Sequence, residues 1–314
     1  MFGRGPLCAP AVSGAAAVAA MKSLRVCPTA WILYHGRGVT TLALGLLIVC
    51  GSSEVLIVDT ANQDQVVWRW RAADRDELPP AMRPLFKYTA ECKPVHGGSH
   101  ILIASSSDGV ALVERATRRV EAFASVPNAH SAELLPDGRM VVAASNRGVA
   151  GDRLVVFQRG MPMTVIRQIA MPAAHGVVWD GIRQTLWALS GSFVRAYSVD
   201  DWKIEGEWRL PDAGGHDMYS IPGSAALSIT TSSKCWLFDR DKKRFDAHPA
   251  LAEVANVKSV AHASDGRVAY VQADAGGGWW STRIRFLNPA RQVDFGDTRL
   301  YKARWLTPGE APLP

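Results

Sequence analysis

Six short segments of this chain begin with an imidazole or an ammonium side chain. They are Lys93-Pro94-Val95, His130-Ser131-Ala132-Glu133, His175-Gly176-Val177-Val178, His216-Asp217-Met218-Tyr219, Lys258-Ser259-Val260-Ala261 and Lys302-Ala303-Arg304-Trp305. Their starts lie 37, 45, 41, 42 and 44 residues apart. If the repeat is radial, equivalent positions meet at one axis. Three neutral imidazoles on neighbouring strands can hold one divalent transition metal (Mn, Zn, Fe or Ni) and leave positions open for water or substrate. His130, His175 and His216 are therefore candidate metal ligands. Gln272 is a candidate fourth ligand or substrate contact. Lys93, Lys258 and Lys302 would form a cationic half-ring facing a small anionic or acidic-sugar ligand. Crowded cations also release protons more easily, which suits a lysine base. The three lysines are thus candidate catalytic groups, Lys258 first. Six cations around a channel repel one another, so offsetting acids are expected among Glu91, Glu133, Asp180 and Asp217. The same groups could instead hold an anion with no metal, and both readings stand at this point.

Other candidates lie in loops expected on the same face. Asn146 and Arg147 follow a strand, and Arg304 follows Lys302 by two residues. Trp279 and Trp280 sit in a glycine-rich insertion at 275–281, where planar aromatic faces could stack sugar rings. These five are candidate substrate contacts. One of the two tryptophans capping a blade is the bland alternative. His96, His100, His248 and His262 lie off the register and are expected to have no catalytic role.

The elements that must position these groups follow from the period. A repeat of about 40–50 residues made of short strands reads as a β-propeller, one blade per repeat. Second strands fall at 100–106, 140–146, 184–191, 225–232 and 267–274, and third strands at 109–115, 153–159, 193–199, 234–240 and 282–288. They are rich in Val, Ile, Leu and aromatics and are bounded by turn dipeptides such as Asp137-Gly138 and Asp265-Gly266. Five blades fill residues 91–297. The sixth is split: 301–306 supplies its innermost strand, and residues 44–72 supply the other three. Pairing of these two ends would close the ring and remove open sheet edges. The expected fold is all-β, a single six-bladed propeller over 44–306, with tails at 1–40 and 307–314.

Composition narrows the classes. The chain has 314 residues, and a 48% apolar content supplies the core that one such domain needs. The net charge of +6 is concentrated at the N-terminus, where Arg4, Lys22, Arg25 and Arg37 precede the first acid, Glu54. No basic stripe with interleaved aromatics occurs, which argues against a nucleic-acid partner. The apolar stretch at 39–50 is too short for a transmembrane helix. It competes as a signal sequence ending in a lipoprotein-like box at Leu47-Ile48-Val49-Cys50. However, Val49 is not small, and the ring needs 46–52 as a strand. Residues 1–40 read as a leader or a misplaced start. Export to the periplasm or exterior is the expectation, with the cytoplasm as alternative, and the protein is expected to be monomeric. The five cysteines, Cys8, Cys27, Cys50, Cys92 and Cys235, form no Cys-x-x-Cys pair and indicate no disulfide framework.

The segments Cys92-Lys93-Pro94, 130–138, 174–180, 214–217 and Val257-Lys258-Ser259 resemble a bacterial family of six-bladed propellers that is a domain of unknown function. The resemblance covers about residues 44–306 and implies the fold and often export. A weaker resemblance links His130, His175, His216 and Gln272 to the oligogalacturonate lyases, seven-bladed propellers with a metal in the central channel. It implies an acidic carbohydrate substrate and a lyase or hydrolase activity.

Overall fold

The computed structural model describes residues 45–145, 152–276 and 278–306. Six antiparallel four-stranded sheets form the body of the fold. The first contains β1 (Leu46–Cys50), β2 (Glu54–Asp59) and β3 (Gln65–Arg71). The second is β4 (Thr89–Val95), β5 (His100–Ser105), β6 (Gly109–Glu114) and β7 (Val120–Ser125). The third is β8 (Ala129–Leu134), β9 (Met140–Ala144), β10 (Arg153–Gln158) and β11 (Thr164–Ala170). The fourth is β12 (Gly176–Asp180), β13 (Thr185–Leu189), β14 (Phe193–Ser198) and β15 (Ile204–Arg209). The fifth is β16 (Asp217–Ser220), β17 (Ala226–Thr230), β18 (Cys235–Asp239) and β19 (Arg244–Ala247). The sixth is β20 (Val257–His262), β21 (Val268–Gln272), β22 (Arg283–Leu287) and β23 (Arg291–Asp294). The last strand, β24 (Lys302–Trp305), returns to the first sheet as its innermost member, giving the order β24-β1-β2-β3. The fold is thus the expected six-bladed propeller.

Closure is exact in register: Leu47 faces Trp305, Ile48 faces Arg304, Val49 faces Ala303 and Cys50 faces Lys302. Leu47, Ile48 and Val49 are fully buried. The stretch that could have read as a cleavage box is therefore a core strand. The tails at 1–40 and 307–314 lie outside the described residues. Among those described, no helix is long and apolar enough to cross a membrane.

Burial explains the strand sequences. Second strands such as β9 and β13 are buried throughout, because both their faces meet neighbouring blades. They read as unbroken apolar runs. The outermost β11 is exposed along nearly its whole length and carries Thr164, Arg167 and Gln168. Tryptophans fill the gaps between blades. Trp70 packs edge-on against Phe86 at 5.4 Å, and Trp187 meets Phe238 at 5.5 Å. At the Asp-Gly hairpins, Gly138 and Gly266 take φ of +85° and +87°, which a side chain would strain. The Asp137 and Asp265 carboxylates accept the amides of Arg139 and Arg267.

Candidate functional site

The innermost strands β8 and β20 begin with a β-bulge, and the extra residues are His130 and Lys258. A third bulge in β4 places Ala90 at the equivalent point. A bulge re-aims the inserted side chain. In the remaining blades, His175, His216 and Tyr301 each donate their amide to the second strand just ahead of the ladder. The ring at the channel mouth is therefore Ala90, His130, His175, His216, Lys258 and Tyr301. This corrects the six-fold register read from the sequence. Lys302 lies one residue deeper than the mouth ring and Lys93 three residues deeper.

Those deeper residues form a neutralised interior. Arg304, fully buried, forks onto two carboxylates. Its Nε and Nη2 donate to Glu91 at 3.0 and 3.2 Å, and its Nη1 and Nη2 donate to Asp217 at 2.9 and 2.6 Å. Lys302 lies 3.4 Å from Glu91 and 3.1 Å from Asp217. Lys93 donates to Glu133 at 2.9 Å and to the Val177 carbonyl at 2.7 Å. The Arg304 guanidinium also covers the Tyr219 ring at 4.2 Å. Burial alone would raise the Glu91 and Asp217 pKa values, but the facing Arg304 and Lys302 charges outweigh it, holding Glu91 well below the carboxylate range and lowering Asp217. Three acids meet three bases, so this level of the channel is closed to a charged ligand. Of the acids expected here, Asp180 is absent from the network; it pairs with Arg183 and Arg240 instead.

The mouth is different. The His130 and His175 rings stand 4.3 Å apart, and those of His175 and His216 stand 5.5 Å apart. His130 Nδ1 lies 2.9 Å from the Asn128 carbonyl. His175 Nδ1 lies 3.3 Å from the Ala173 carbonyl and 2.9 Å from Ser145 Oγ. A carbonyl only accepts, so His130 Nδ1 donates to Asn128, whereas His175 Nδ1 faces both a carbonyl and the Ser145 hydroxyl, which can donate or accept. His216 Nε2 sits 3.2 Å from Lys258 Nζ, while its Nδ1 is buried with no partner among the described residues. Burial, then neighbouring cations, holds His216 neutral with a pKa of about 3. Burial and the adjacent histidines keep His175 neutral as well. Lys258 is 6% exposed, and burial lowers its pKa. Among the described residues no carboxylate reaches it; its side-chain partner is the His216 ring.

An aromatic wall rises beside the histidines. Tyr301 lies 6.4 Å from His130, and Trp279 meets both Tyr301 and Tyr88 edge to face, at 5.5 and 5.6 Å. Trp279 keeps 39% exposure. Trp280 turns away under Arg299 at 4.5 Å. The two adjacent tryptophans therefore part, and only Trp279 joins the mouth. Gln272 donates its side-chain amide to the Ala255 carbonyl at 2.9 Å. Asn146 and Arg147 lie outside the described residues. Among the described residues, no group of three His, Cys, Asp or Glu side chains is placed to hold a metal ion.

The sequence reading overlooked Tyr88, Tyr301 and Ser145. Tyr301 carried a signal, since it directly precedes a register lysine and the bulges shift the frame by one. Tyr88 and Ser145 carried none, because their places depend on cross-blade contacts.

A crystal structure of a protein of unknown function from Bacteroides caccae resembles this chain with a TM-score of 0.54 and 13% identity, over 82% of this chain and 97% of that one. That likeness bears on fold alone. A search of curated proteins finds no significant match. A family profile described as "Family of unknown function (DUF6528)" matches residues 45–311, the whole ring and a few residues beyond, and the chain belongs to that family.

Proposed function

We propose that the channel mouth binds an acidic carbohydrate of the uronate type. One observation carries the reading: Lys258 is a buried cation that meets a neutral imidazole where each buried cation below it meets a carboxylate. A buried, unpaired ammonium is costly and gains most from an incoming anion. The surrounding groups suit the rest of a uronic acid. The His130 and His175 rings would exchange hydrogen bonds with sugar hydroxyls, and the Trp279 face would stack on the apolar side of a pyranose. The test is calorimetric titration with galacturonate and glucuronate oligomers beside their neutral counterparts. Binding of the acidic series, lost in Lys258→Met, supports the reading. Equal binding of neutral sugars, or none by either series, removes it.

A second reading is a metal-assisted lyase or hydrolase. It is favoured by His130, whose Nδ1 donates to a carbonyl as metal-ligating histidines commonly do, with the His175 ring 4.3 Å away. A metal there would polarise the uronate carboxylate, and Lys258 would take the C5 proton in β-elimination. The contact between His216 Nε2 and Lys258 weighs against it, since a lone pair accepting an ammonium proton is not offered to a metal. Elemental analysis of untagged protein beside a His130/His175/His216 triple-Ala variant decides: about one metal per chain, lost in the variant, would establish a metal site.

A further inference from the structure

The seam where the two ends of the chain close the ring holds two thiols. Cys50 ends β1 and lies directly across from Lys302 of β24. Cys92 belongs to β4, the innermost strand of the next blade, and its Sγ lies 3.8 Å from the Lys302 carbonyl. Both cysteines therefore gather at Lys302 from opposite sides of a blade boundary. They share one apolar cluster with Ile48, Val55, Ile103 and Leu306. Cys50 is 1% exposed and Cys92 is fully buried. Both are thiols in this structure.

We propose that Cys50 and Cys92 are a site of disulfide formation that clasps the split closing blade to its neighbour. The two residues lie 42 positions apart in sequence and in different sheets, so the bond would close a long loop and restrict the unfolded chain strongly. It would also fix the strand that carries Glu91 and Lys93 against the strand paired with Lys302 and Arg304. The clasp thus anchors the charged interior of the channel.

The oxidant is a small disulfide such as oxidised glutathione. One cysteine thiolate attacks it, forming a mixed disulfide and releasing one glutathione thiol. The second cysteine thiolate then attacks the cysteine sulfur of that mixed disulfide and releases a second. Two protein thiols are oxidised, one glutathione disulfide is reduced, and both protons end on glutathione. Burial first, and then the Cys50 thiol and the Glu91 charge, keep Cys92 protonated in the closed ring. Oxidation therefore belongs to the stage before the seam closes, during folding in an oxidising compartment.

The test refolds the full chain from denaturant with oxidised and reduced glutathione, alkylates under denaturing conditions and maps cysteine peptides by mass. The expected result is a cross-link joining the Cys50 and Cys92 peptides, with Cys235 alkylated. The oxidised protein should also show a thermal midpoint about 5–10 °C above the reduced one. The variant Cys92→Ala should lose both the cross-link and the shift between conditions. If that variant does not fold, comparing oxidised with reduced wild type still decides. Cys50 and Cys92 recovered as free thiols, or as separate glutathione adducts, overturns the proposal. So does a cross-linked protein with the midpoint of the reduced one.

Discussion

Inside the channel, Lys93, Lys302 and Arg304 are matched by Glu133, Glu91 and Asp217. At the mouth, Lys258 faces His216 instead. The two levels use the same cationic chemistry to opposite ends. Where each cation has its carboxylate, the charges bind the blades to one another across the axis and leave nothing for a ligand. Where the carboxylate is missing, the cation lacks a counter-charge, which is what the proposed anion would supply. Cations converging on a propeller axis do not by themselves make an anion site. What stands beside each cation decides.

Arg304 is the position where substitution should cost most. Removing one member of a fully buried ion network strands its partners, at a cost of about 3–5 kcal/mol. Arg304→Met should lower stability by that amount in urea denaturation. A loss under about 1 kcal/mol, the usual range for an exposed pair, would mean the interior is not held by these charges. Lys258→Met tests the other level. Deleting a buried cation with no counter-charge should leave stability unchanged or raise it, while acidic-sugar affinity falls at least tenfold. A large loss of stability would show that Lys258 has a structural partner after all, and the contrast between levels would collapse.

A smaller effect concerns pH. His248 and His262 touch through their Nε2 atoms at 3.4 Å, far from the mouth in sequence register. His248 Nδ1 accepts the Ala250 and Leu251 amides, so its Nε2 carries the proton toward His262. Burial lowers both pKa values from 6.5 to about 4. A depressed histidine pKa contributes stability that is complete above pH 6.5 and lost as the pH falls toward 4. Thermal midpoints between pH 7 and 4 should drop more steeply for wild type than for His262→Asn. Parallel curves would show that the pair contributes no such stability. The smallest expected effect is Trp279→Ala. At 39% exposure the ring supports little of the core, so stability should shift by about 1 kcal/mol or less. Ligand affinity should weaken about five- to thirtyfold if the ring stacks on sugar. Unchanged affinity would remove the aromatic wall from the site and leave the charge contrast standing alone.

Most of the fold was legible because its signals are local and repeated. Strand-forming runs, Asp-Gly turns and a near-constant period each recur blade after blade, and the missing strands at one end match the surplus strand at the other. The three histidines were legible for the same reason. The lysines misled. Lys93 and Lys302 match the period, yet bulges at Ala90, His130 and Lys258 shift the ladder, so equal spacing does not mean equal depth. Asp180 misled similarly: it lies near the axis in sequence, but Arg183 and Arg240 hold it.

The class, the number of blades and the way the ring closes are set by signals carried within the chain's own repeats. Apolar period and turn chemistry act over a few residues, and ring closure follows from the strand count. The choice of neutralised cations, of the tryptophan that reaches the mouth and of the two cysteines that share the seam belongs to the folded ring. Those are contacts across blade boundaries, between residues 40 to more than 200 positions apart, as with Lys93 and Glu133 or Arg304 and Glu91. A shift of one residue along a strand turns a side chain to the other face, so such contacts depend on register, and here bulges in the folded ladder set that register.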